Sequence, residues 1–152
     1  MKKLFFALVF VLFTSHSISQ TQEIRQLYVK AVENKAVAES LLERLEKLES
    51  SDLKLGYTGA VKMLMAKHVF SPFKKVSYFN EGKKMLDQSI INSPNNPELR
   101  YLRYGMQKHT PKFLNYNKNL EEDKKFLESP EQLVNADPDL LIRIVELLNE
   151  DL

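Results

Sequence analysis

The sequence predicts an all-α fold, a short stack of antiparallel helical hairpins with about six helices, and three observations predict it. Apolar residues recur at steps of three and four, as in Ile24, Leu27, Ala31 and again in Ala38, Leu41, Leu45, Leu48, which lines one face of a helix. Each of the six prolines follows a residue able to cap a helix: Ser71, Ser93, Asn96, Thr110, Ser129 and Asp137. Alternating β-branched runs bounded by turn formers, the mark of strands, are absent.

The elements follow in chain order. Lys2 and Lys3 precede an apolar stretch from Leu4 to Phe13, and Ser17 and Ser19 stand at small-residue cleavage spacing. Residues 1–19 are therefore predicted to be a signal peptide, cleaved near Ser19/Gln20. The stretch is about ten residues long, short of the roughly 20 that cross a bilayer as a helix, so no permanent membrane anchor is expected. Residues 20–152 form one predicted domain, periplasmic or secreted. It has no cysteine, so neither a disulfide nor a lipid-modified cysteine can hold it, and packing alone must.

Within that domain helices are predicted near 22–49, either continuous or broken around Asn34, and at 53–70, 72–92, 97–109, 111–128 and 138–151. A short helical turn is predicted at Pro130. A cap side chain accepts from an orphan N–H of the first turn, and proline just after it gives up only a donor that has no helical partner. Glu98 and Asp139 add negative charge where the helix dipole favours it. Between 92 and 97, Pro94 cannot continue the preceding helix and Asn96-Pro97 opens the next, so "NSPNNPE" reads as a tight corner. Gly56, Gly59, Gly82 and Gly105 lie inside predicted helices, where each costs ~1 kcal/mol relative to alanine; close helix approach is the expected compensation.

Charge is unevenly distributed. After loss of residues 1–19 the chain has 20 basic and 20 acidic residues and is neutral. Residues 54–118 carry twelve lysines and arginines against three acids, while 119–152 carry three against ten. Either the acidic end lies beside the basic middle within one molecule, or the basic surface faces an anionic partner. The same asymmetry allows self-association into a homodimer, acidic end on basic middle.

"GKKMLDQSIINSP", residues 82–94, resembles the second helix of a tetratricopeptide repeat. Gly82, Leu86, Ser89 and Pro94 occupy the family's small, large, small and closing-proline positions, and "SPNNPE" resembles its inter-repeat turn. Upstream, Ala66, Val69, Phe70 and Phe73 stand where the family carries a bulky aromatic, leucine, glycine and tyrosine. The resemblance implies a degenerate array of helical pairs, an architecture that presents grooves. "PELRYLRYGMQ", "PKFLNY" and "EEDKKF" also resemble a family of small exported bacterial proteins of unknown function.

Arg100, Arg103 and Gln107 share a helix face. Two arginines and an amide suit a carboxylate or phosphate, since guanidinium offers a planar fork of donors. The competing expectation is an internal ion pair with Glu121, Glu122 or Asp123 on the next helix. "FSPFKKVSYF" and "YLRYGMQKHTPKFLNY" mix aromatic and basic residues. In a neutral exported chain this does not point to nucleic acid; Phe70, Phe73, Phe79 and Phe113 are expected in the core, with tyrosines at helix seams and their hydroxyls in water. His68 and His109 lack a nucleophile motif or a metal-ligand spacing, and no metal or other cofactor is expected.

The function these residues predict is a non-enzymatic one, the binding of a protein or peptide through the basic, aromatic middle: Arg100, Arg103, Gln107, Tyr101, Tyr104, Lys74 and Lys75. The alternative is a small-anion-binding protein or minor hydrolase built on Arg100, Arg103 and His109.

Overall fold

A computed structural model describes residues 20–150; the predicted signal peptide lies outside them. The described residues are all-helical, without a strand. The run 20–31 is α1, followed by α2 (Lys35–Glu46), α3 (Asp52–His68), α4 (Pro72–Asn92), α5 (Pro97–His109), α6 (Leu120–Leu127) and α7 (Pro138–Asn149). Two 3₁₀ turns, Lys112–Leu114 and Pro130–Gln132, join the later helices. None of the described helices is long and apolar enough to cross a membrane.

Of the two alternatives for 22–49, the structure has the break at Asn34. Its side chain accepts from the Val37 N–H at 3.2 Å and starts α2 as an N-cap. Three of the six cap–proline pairs begin α-helices: Ser71, Asn96 and Asp137 each accept from the first turn, and proline follows. Ser93 instead closes α4, and Pro94 sits in the turn that Asn96 N–H completes on Ser93 O. The corner between α4 and α5 is thus as short as expected.

The predicted helix 111–128 is not formed as one element. Pro111 opens a single 3₁₀ turn, and Asn115 closes it in the left-handed region at φ 49°. Asparagine tolerates that conformation better than most residues, and Asn117 and Asn119 continue an irregular path, so α6 starts only at Leu120. Ser129-Pro130 likewise opens a 3₁₀ turn, and the Ser129 hydroxyl turns back to Lys125 O.

At the centre of the fold α3 lies against α4. Asp52 accepts from Asn92 and Ser93, Gly56 meets Ser89, Gly59 meets Gly82, and Lys62 pairs with Glu81. Contacts therefore descend α4 as they ascend α3. Backbone meets backbone midway: a Cβ on Gly59 would stand 2.6 Å from both Gly82 O and Leu86 N. Gly59→Ala and Gly82→Ala should therefore each destabilise by about 2 kcal/mol or more, although alanine's helix propensity alone would favour them by ~1 kcal/mol. Gly105 has room, its nearest obstacle being Leu147 Cδ2 at 3.4 Å. Gly105→Ala should shift the urea midpoint slightly upward, opposite in sign to the other two.

Tyr57, Val61, Leu86, Leu99 and Leu102 form the heart of the core, with Leu41 and Leu45 from α2 and Leu140 and Ile144 from α7 joining it. The aromatic residues distribute against expectation. Phe70, Phe73 and Phe113 are 99%, 88% and 80% exposed, and of the four phenylalanines expected inside only Phe79 packs on the core. Tyr28, Tyr57, Tyr101, Tyr104 and Tyr116 are buried. The three exposed phenylalanines stand in or beside connections, beyond the packed turns of α3 and α5. Three of these hydroxyls have internal partners: Tyr57 donates to Glu98, Tyr116 to Asp87 and Tyr28 to Met106 Sδ. Burial raises the Tyr57 hydroxyl well above its usual range, and the Glu98 carboxylate adds to that.

Candidate functional site

Of the residues expected to form a binding surface, most face inward. Arg103 grips Asp123 with two bonds, Nε to Oδ2 and Nη2 to Oδ1, both 2.7 Å. Arg100 donates to Asp123 Oδ1 at 2.8 Å, to Glu122 Oε1 at 2.5 Å and to Pro94 O at 2.9 Å, and its guanidinium lies over Phe126. Gln107 gives its amide N–H to Asp123 Oδ2 and accepts from Asn119 N–H, both at 3.0 Å. Asp123 is fully buried. The helix spacing of Arg100, Arg103 and Gln107 thus clamps α6 onto α5, which is the internal pairing weighed above, with Glu122 and Asp123 as partners. Glu121 is exposed. For Arg103, burial works against the charge, but the bonds to Asp123 outweigh it and the guanidinium is held above its usual range.

A second buried ionic cluster was not anticipated. Arg25 on α1, fully buried, donates to Glu98 at 2.8 and 3.1 Å, to Asp137 at 2.8 and 3.0 Å and to Asp139 at 2.6 Å. It joins α1 to the first turns of α5 and α7. Hydrogen bonding from Arg25 lowers the Asp137 carboxyl, against the opposing effect of burial. At Asp139 burial raises the carboxyl, but bonds from Arg25 and Arg143 outweigh it and the net direction is down. No buried side-chain nitrogen or oxygen among the described residues lacks a partner. The first-turn acids Glu98 and Asp139 and the cap Asp137 were visible in the sequence; nothing local marked Arg25 as their cation.

The surface feature that remains is an open cleft of about 1080 Å³ among α1, α3, α4, α5, α7 and the turn after α5. Leu64, Val76, Phe79, Met106, Phe113 and Leu147 supply much of its apolar wall, and Lys75 stands on its rim. Buried Tyr101 reaches its floor; buried Tyr104 does not line it. Lys74 is exposed on the adjoining turn of α4. The residues called a binding surface therefore separate into an internal clamp, buried tyrosines and two exposed lysines.

His109 lines the cleft, whereas Arg100 and Arg103 do not. Its Nδ1 stands 2.8 Å from Gly105 O and its Nε2 2.9 Å from Glu150. His68 meets Ala31 O at 3.2 Å. No group of three or more His, Cys, Asp or Glu side chains among the described residues is placed to hold a metal ion. No family model matches this chain, and neither the curated proteins nor the solved structures yield a match.

Proposed function

We propose that this chain is an exported, non-enzymatic domain that binds a peptide segment of another protein in the cleft, its helices stacked as hairpins in the manner of a degenerate tetratricopeptide array. The observation that carries the reading is the cleft itself, apolar in its walls and edged by both lysines and glutamates. Its volume lies just above the roughly 300–1,000 Å³ typical of small-molecule pockets, and it is open, which suits a helix or extended segment laid along it. The small residues of the repeat-like motif support the hairpin arrangement, since Gly82 and Ser89 receive Gly59 and Gly56 at close range.

The basic, aromatic middle keeps its role in a reduced form. Lys75, Val76 and Phe113 line the cleft and provide the exposed contact with Lys74 beside them, while Arg100, Arg103 and Gln107 hold α6 to α5 away from the cleft. The small-anion reading loses its chemistry here, because the two arginines are engaged by Asp123 and Glu122 away from His109. The test is selection from a random peptide library followed by titration of the selected peptides. Binding should weaken by about tenfold or more in Val76→Glu with Leu114→Glu, each placing charge in the apolar wall, with the melting temperature unchanged. Selected peptides that bind these variants as well as the parent would refute the cleft as the site.

A further inference from the structure

One end of the molecule gathers the C-terminal ends of α1, α3, α5 and α7 with the start of α4. His68 reaches Ala31 O, Lys108 reaches Leu147 O, and His109 pairs with Glu150. Two proline-bearing tips project there, Phe70–Phe73 and Pro111–Phe113, and they flank the mouth that Pro72, Val76 and Phe113 line together. Phe70, Phe73 and Phe113 are almost wholly exposed. Residues 69–80 and 108–118 contain five lysines, Lys74, Lys75, Lys108, Lys112 and Lys118, and no aspartate or glutamate. Glu33, Glu146 and Glu150 also line the cleft here; Glu33 pairs with Lys67, and Glu150 stands 2.9 Å from His109 Nε2.

Isolated aromatic side chains at the tips of rigid turns, ringed by lysines, fit a bilayer surface better than a protein surface. Protein interfaces are enriched in aromatics but depleted in lysine. At an anionic membrane both gain: phenylalanine enters the headgroup boundary, and lysine stays in the negative potential above it. We propose that this end of the molecule docks on an anionic lipid surface, with Phe70, Phe73 and Phe113 entering the interface and Lys74, Lys75 and Lys112 engaging headgroup phosphates. The docking is peripheral and shares the edge of the cleft at Lys75 and Phe113, whereas Phe70, Phe73, Lys74 and Lys112 lie outside the cleft lining.

The chain has no tryptophan, so a single introduced one reports its own surroundings even if residues 1–19 also touch lipid. The experiment compares full-length Phe73→Trp with full-length Ile91→Trp, which lies about 27 Å away along α4 at an exposed site. Vesicles of phosphatidylglycerol and phosphatidylcholine in equal parts, with and without brominated acyl chains, are the probe. Trp emission at position 73 should shift to the blue and be quenched by the brominated lipid, while that at position 91 should do neither. In the Phe73→Trp background, Phe70→Ser should weaken vesicle partition by about tenfold, and Lys74→Glu with Lys75→Glu by more than about tenfold, with loss at high salt. Water-like emission at position 73 while the chain sediments with vesicles would overturn the proposal, because another segment would then hold the lipid. Equal quenching at both positions would overturn it, as would a failure to partition. A blue shift at position 73 that grows with protein concentration without lipid would assign the patch to a second copy instead.

Discussion

Asp123→Ala is expected to lower the stability of this protein by about 3–5 kcal/mol, the scale at which removing one partner of a buried ion pair leaves the others uncompensated. Asp123 has no solvent exposure and receives Arg100, Arg103 and Gln107. With the carboxylate gone, two guanidinium groups on α5 lose their shared buried partner, and the exposed Glu122 and, for Arg103, the more distant Asp87 are the acids that remain. A small domain has about 5–15 kcal/mol in all, so the loss is a large part of it. Urea unfolding should show a lower midpoint, and amide exchange should rise first in α6, which this clamp holds to α5. Arg100→Met and Arg103→Met in the Asp123→Ala background should recover part of the loss by removing the stranded charges. If Asp123→Ala unfolds within about 1 kcal/mol of the parent, the clamp is not the device described.

Arg25→Met is expected to cost a similar amount, about 3–5 kcal/mol at neutral pH, and its pH dependence is diagnostic. Without the guanidinium, Glu98, Asp137 and Asp139 are left facing one another with Arg143 beside them. In the parent protein Asp137 and Asp139 are held below the usual carboxylate range. The unfolded chain therefore takes up protons before the folded one does. The stability that these two groups contribute is present above the ordinary carboxylate value of about 3.9 and is lost as pH falls through their folded values. Arg25→Met lacks that contribution and relieves carboxylate repulsion as protons bind. The difference between parent and variant should be greatest near neutral pH and should close below about pH 4. Unfolding curves at a series of pH values give this difference directly, and a gap that stays constant down to strongly acid pH would remove the carboxylates from the account. Exchange of α7 amides should rise with it, since Asp137 both caps Leu140 N–H and accepts from Arg25.

Part of the site was legible in advance and part was not, for one recurring reason. The ladder Arg100, Arg103, Gln107 was visible because helix geometry places those residues on one face, and a short connection made α6 a sensible source of the opposing acid. Which acid and how deeply it is buried were not visible: Asp123 rather than Glu121 faces inward because α6 starts at Leu120, and that start depends on Asn115 turning left-handed and on Gln107 holding Asn119 N–H. The phenylalanines misled because hydrophobicity predicts burial only for residues on a packed face. Phe70 lies beyond the end of α3 and Phe113 in a 3₁₀ turn, and each projects from the body.

The sequence by itself determined that the chain is helical, where α4, α5 and α7 begin, and that α4 and α5 meet at a tight corner. Those features rest on hydrogen bonds and side-chain spacings within one or two turns, so neighbouring residues suffice to specify them. Tertiary structure alone decided that Arg25 would meet Glu98 and Asp137, 73 and 112 positions away, that five tyrosines would be buried while Phe70, Phe73 and Phe113 project, and that an apolar cleft would open beside lysines. Each of these depends on which helix faces separated by long stretches of chain come together, and a polar group can be buried only where folding brings it a partner.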